Sequence, residues 1–152
     1  PEAKIVLHTH QPYATAICVR KGGRLKMCEQ NALMFKDRIA YDDQYNGLAL
    51  DGDEGARIAA TMGNRSVAFL ASHGVVVCAD NMAEAYTDLY YLERAAMFQI
   101  MAGSDGSELA EISEDVQEKT RQQAMQDRPL LSTRHFGALR RILDKEEPDY
   151  RN

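Results

Sequence analysis

Two histidines, His8 and His10, stand on alternate residues at the end of a short apolar run, Lys4-Ile5-Val6-Leu7. Such a run, rich in β-branched residues, predicts a buried strand. Alternate strand residues share a face, so the two imidazoles project together while Thr9 points the other way. Imidazoles so placed can meet one divalent ion at roughly 2.0–2.1 Å each. By itself the pair fits surface or core histidines as well as it fits a metal site. His73 lies between two strongly apolar segments, residues 67–71 and 75–78, where a histidine is either buried and hydrogen-bonded or held for chemistry. Gly74 lets the backbone bend there and leaves room beside the ring. A third imidazole meeting the pair would leave a zinc-like ion one open position, as a catalytic site requires. From spacing alone the metal reading and the structural one both stand.

The elements that must position these side chains are legible around them. Pro12 to Val19 turns helical, with proline at a first-turn position and Gly22-Gly23 beyond the end. Residues 25–50 are mixed, with a short helix near Asn31 to Phe35, a strand near Arg38 to Tyr41 and a turn at Tyr45-Asn46-Gly47. Asp51 to Glu54 opens a helix with acidic residues at its positive end, and Gly63 stops it. Ser72-His73-Gly74 is a tight turn between two strands. The longest helix runs from Met82 to Ala102, with Asn81 and Glu84 as a capping box and a stripe of Tyr86, Leu89, Tyr90, Ala96, Met97 and Ile100. Gly103 to Gly106 breaks it. Two further helices are expected, Glu108 to Gln126 and Thr133 to Lys145, with Pro129 between them.

Bulk properties narrow the class. A chain of 152 residues with 45% apolar and 27% charged residues can bury a core, which sets aside disorder. A net charge of -5 without a Lys/Arg cluster argues against a nucleic-acid or acidic-membrane surface. No run approaches the roughly 18 apolar residues that span a bilayer. Three cysteines, Cys18, Cys28 and Cys78, lack CxxC spacing and read as reduced thiols of a cytoplasmic protein. A core strand at the first residues suggests that an upstream region precedes Pro1.

The segment His8-Thr9-His10-Gln11-Pro12-Tyr13-Ala14-Thr15-Ala16 resembles the metal-binding strand and following helix of the class II aldolase/adducin family. Ser72-His73-Gly74-Val75-Val76-Val77 resembles that family's second metal segment. The helix carrying Ala83, Glu84, Ala85, Tyr90, Leu92, Glu93, Ala95 and Ala96 is similar to the one that follows it there. The likeness covers residues 4–103, and 136–150 look like a tail of some members. It implies one α/β domain over residues 1–152, a three-layer α/β/α fold with a largely antiparallel central sheet, here incomplete at its N-terminal side, with residues 108–152 as a helical extension. It also implies a metal held by His8, His10 and His73, zinc or in some members manganese. The ion would chelate adjacent oxygens of a small hydroxy or oxo substrate and stabilise an enediolate or carbanion. Members include aldolases, an epimerase, dehydratases and decarboxylases, many of them tetramers with active sites at subunit boundaries.

Where the aldolases carry an acid/base glutamate and phosphate loops, the matching stretch would precede Pro1. Gly63-Asn64-Arg65-Ser66 imitates a phosphate motif of the family but reads as a helix stop and turn. Further residues are weighed against bland roles. Glu29, with Gln30, is either a solvated loop residue or a group offered to a neighbouring subunit's site. Tyr13 and Thr15 either pack α-helical neighbours or contact ligands and substrate. Glu93, beside Arg94, is either a structural ion-pair or hydrogen-bond partner or a support behind a metal ligand. His135, in an Arg-rich context, is expected to be exposed. The functional expectation is therefore a metal-dependent lyase-type enzyme. The alternatives are a non-catalytic adducin-like interaction module and a degenerate member that binds metal without turnover.

Overall fold

The computed structural model describes residues 3–48 and 52–151. Four strands, β1 (Ile5–Thr9), β2 (Ile39–Asp42), β3 (Val67–Leu70) and β4 (Gly74–Ala79), form one sheet in the order β1-β4-β3-β2. β4 pairs antiparallel with β1 and β3, while β2 lies parallel to β3. The parallel step requires a crossover, which helix α3 (Gly52–Met62) supplies. Asp51, expected to open that helix, lies outside the described residues.

Period-two side-chain alternation divides the sheet's contacts between two layers. Val67, Phe69, Val75 and Val77 face α1 (Pro12–Cys18), α2 (Gln30–Leu33) and α4 (Met82–Ala102), in a core that includes Ile17, Phe35 and Leu92. Ala68, Leu70 and Val76 face the other way, against Met62 and Ile58 of α3. The result is the expected α/β/α layering around a mostly antiparallel sheet. The buried face of α4 is Ala85, Leu89, Leu92, Ala95, Ala96 and Gln99. Tyr86 and Tyr90 instead stand at its rim, half exposed, because the sequence stripe mixed core residues with the edge of the layer.

The C-terminal region departs from expectation. One helix, α5 (Glu114–Glu146), runs straight through Pro129, and residues 108–113 are not helical. Proline removes one ladder N–H and crowds the preceding turn, at a cost of about 3 kcal/mol. Contacts on both sides of it offset that cost. Arg128 pairs with Glu84 and, at 2.8 Å, with Asp88, both on α4, while Ser132 is fully buried and Leu131 packs on the main core. Asp88 is itself fully buried and also takes Arg38, whose guanidinium reaches Ser66 Oγ at 3.0 Å and the Met34 carbonyl at 3.1 Å. A single carboxylate thus ties α4 to α5 and to the start of β2. Among the described residues, no helix is long and apolar enough to cross a membrane.

Candidate metal centre

β1 is an edge strand, and its alternation puts Ile5 and Leu7 toward the helical layer and Val6 and His8 toward the α3 side. His8 lies opposite Val76 and Thr9 opposite Val75. The β3–β4 turn, with Ser72 at φ 57°, returns the chain so that His73 immediately precedes β4. The register therefore carries all three histidines to one end of the sheet. Their ring centroids lie 5.0, 4.7 and 4.8 Å apart, and one nitrogen from each falls within 4.8 Å of the others.

The donor chemistry is set by what surrounds the rings. His8 Nδ1 is 3.0 Å from the Val75 carbonyl oxygen, which can only accept. Nδ1 therefore carries the proton, and Nε2 keeps a free lone pair directed at His10. The His8 and His10 Nε2 atoms are 3.1 Å apart, near the roughly 3.3 Å expected for two ligands 2.0–2.1 Å from one tetrahedral ion. Burial, then the neighbouring His8 and His10, push the His73 imidazole below its ordinary value, and Glu54 partly opposes them. The neutral, ligating form of His73 is thereby favoured. These residues fit a divalent ion bound through three nitrogens with further positions left open.

Gly74 is what allows the rings to approach. A Cβ there would stand 2.5 Å from the Thr9 carbonyl oxygen and 2.7 Å from His10 Cδ2. The turn is held from below by Ser72 N donating to the Cys18 carbonyl at 3.0 Å and by the buried Cys18 thiol donating to the Gly74 carbonyl at 3.2 Å. Burial pushes that thiol up to about 11, and all three cysteines are free.

The other weighed residues fall in different places. Glu93 is a positioning group: its two oxygens accept from Tyr13 N at 2.9 Å and Ala14 N at 2.8 Å. Pro12 has no N–H and Gln11 gives no side-chain cap, so Glu93 supplies from α4 the N-cap that α1 itself lacks. Arg94 takes no part in this and lies over the rings of Tyr90 and Phe98. Tyr13 packs on the main core. Thr15 lies in α1 with a buried Oγ1 that has no hydrogen-bond partner among the described residues. Glu29 is not a free loop carboxylate, because it caps α2, accepting from Asn31 N at 2.9 Å and Ala32 N at 2.6 Å. His135 is half-buried rather than exposed: its Nδ1 lies 3.0 Å from Thr87 Oγ1, among the rings of Tyr86, Tyr90 and Tyr91. Its turn of α5 docks on α4, and the Arg-rich local sequence conceals that. Residues 63–66 form the anticipated helix stop and turn, with Gly63 at φ 52°.

Two residues near the centre are not among the candidates that the sequence offered. Tyr45 stands with its ring 6.3 Å from that of His73. Glu54 acts electrostatically on His73 while bonded to Arg57, which holds its carboxyl down to about 2. Tyr45 follows β2 and Glu54 lies in the first turn of α3, both remote in sequence from every histidine.

Residues 1–100 match the family described as Class II Aldolase and Adducin N-terminal domain, and the chain belongs to that family. It is 31% identical over 150 residues to a Caulobacter vibrioides protein named only provisionally as a class 2 aldolase, covering 98% of this chain and 58% of that one. It is 33% identical over 101 residues to mouse alpha-adducin, covering 66% of this chain and 13% of the adducin. The crystal structure of an aldolase II superfamily protein from Pseudomonas syringae superposes with a TM-score of 0.89 at 35% identity, over 99% of this chain and 60% of that one. An L-fuculose 1-phosphate aldolase from Glaciozyma antarctica PI12 shares the fold, with a TM-score of 0.76 at 20% identity over 93% of this chain and 53% of that one. The chain thus spans about three-fifths of the length of the curated class 2 relative.

Proposed function

We propose that the chain carries the metal-binding part of a divalent-metal-dependent, lyase-type enzyme acting on a small hydroxy or oxo compound. The observation that carries this reading is the convergence of His8, His10 and His73, with the His8 tautomer set by Val75 so that its Nε2 lone pair faces the centre. A bound ion, zinc or alternatively manganese, supplies Lewis-acid polarisation of a substrate oxygen. The chain's own residues fix the ligand geometry: β1–β4 pairing orients His8, Gly74 admits His10, and Glu93 clamps the helix leaving the metal strand. The same reading places the protein in the cytoplasm as a homo-oligomer, and treats residues 108–152 as an extension of one domain. The docking of α5 through Arg128 and Ser132 supports that last point.

A second reading, an adducin-like interaction module without catalysis, is favoured by the likeness to alpha-adducin. A module of that kind has no need of three converging imidazoles. The test is zinc content by elemental analysis of the intact chain and of His73→Ala. One equivalent in the former and none in the latter is expected. A near-normal zinc content in His73→Ala contradicts the site, and no zinc or manganese affinity in either sample favours the module.

A further inference from the structure

Burial does not explain where Tyr45 sits. Its side chain is 51% exposed, yet its ring is held at 60° to the His73 plane, one step outside the histidine cluster. The loop that carries it is strapped on both sides. Gln44 N donates to Asp42 Oδ1 at 3.1 Å, and Asn46 Nδ2 donates to Glu54 Oε2 at 3.4 Å. One guanidinium joins the two acids, with Arg57 reaching Asp42 Oδ1 at 2.8 Å and Glu54 at 2.6 and 2.9 Å. Both neighbours of Tyr45 are therefore anchored to β2 and α3, and the aromatic ring is presented at the mouth of the centre.

An ion held by three histidines has its remaining positions open to solvent and ligand. His8 and His10 are exposed, and His73 is half-buried. A small compound chelating through two oxygens would occupy those positions, and its carbon skeleton needs an apolar surface to rest on. Among the described residues, Tyr45 is the one non-histidine ring within ring-contact distance of the cluster. We infer that Tyr45 is the wall on which a small two-oxygen chelating ligand packs its carbon skeleton, so that it sets affinity for the ligand and not for the metal. This rests on the metal reading above.

The experiment uses the intact chain, Tyr45→Ala and Tyr45→Phe, each titrated first with Zn²⁺ and then, when loaded, with acetohydroxamate by calorimetry. All three are expected to bind one equivalent of zinc. Acetohydroxamate affinity should fall about tenfold in Tyr45→Ala and stay within about threefold in Tyr45→Phe, which keeps the ring. Unchanged affinity in Tyr45→Ala overturns the inference, and so does an equal fall in Tyr45→Phe. Loss of zinc from Tyr45→Ala alone overturns it too, by making the residue part of the metal's support. Absence of zinc binding in the unsubstituted chain removes the metal reading itself, and this inference with it.

Discussion

Replacing Gly74 by alanine adds one methyl group at the most crowded point of the centre. The new Cβ would sit 2.5 Å from the Thr9 carbonyl oxygen, so that backbone must retreat about 0.9 Å to reach an ordinary 3.4 Å contact. The other close atom, His10 Cδ2 at 2.7 Å, belongs to a ring of the histidine cluster. Neither neighbour is the loose end of a flexible side chain, since Thr9 is paired with Val75 in the β1–β4 ladder. Overpacking of this kind costs about 1–3 kcal/mol, which for a domain of this size corresponds to a melting temperature lower by roughly 3–10 °C. The same displacement moves His10 relative to His8 and His73, so zinc affinity should fall by about tenfold or more. Thermal denaturation of the metal-free variant and a competitive zinc titration measure the two effects separately. A Gly74→Ala protein with unaltered melting and unaltered zinc affinity would refute the idea that this glycine is what lets the two strands and the His10 ring meet.

Asp88→Ala removes the buried carboxylate that Arg38 and Arg128 share, leaving Arg128 only Glu84 and Arg38 without its anion, and should cost about 3–5 kcal/mol in a urea titration. A loss below about 1 kcal/mol would show the cluster to be incidental. Glu93→Ala leaves the Tyr13 and Ala14 N–H groups without an acceptor and should lower stability by about 2 kcal/mol while weakening zinc binding; a variant that melts lower but binds zinc normally would confine Glu93 to packing. The His73 imidazole is held below its ordinary value, so its contribution to stability is fully present above the unfolded histidine range and is lost as pH falls through the folded value. Zinc affinity and metal-free stability should therefore both decline on acidification below about pH 6.5. A pH-independent zinc affinity between pH 5 and 7 contradicts a three-imidazole site.

Much of this architecture was legible because its signals are local. The strand before His8, the hairpin around His73 and helix α4 with its Asn81 cap, which accepts from Glu84 N at 3.0 Å, all follow from short-range pattern. The histidine cluster required pairing as well: only the His8–Val76 register brings residues far apart in sequence to one corner of the sheet. What stayed hidden was tertiary. Pro129 marks a helix end by local rules, and only Arg128, Leu131 and Ser132 docking on neighbouring elements carries α5 through it. His135 looks solvated beside arginines until α4 is placed against it. Tyr45 and Glu54 show in sequence only as turn and helix-start residues, because their nearness to His73 is tertiary. Glu93 stood out in sequence as a structural partner or a support behind a metal ligand, but the groups it serves, two N–H groups of α1, belong to another element.

One ion held by three nitrogens is the premise of the proposed function. Diffraction from zinc-soaked crystals, recorded on both sides of the zinc absorption edge, tests it most directly. A single strong anomalous peak is expected, roughly 2.0–2.1 Å from one nitrogen of each of His8, His10 and His73. Peaks elsewhere, or ordered histidines with no peak between them, would contradict it.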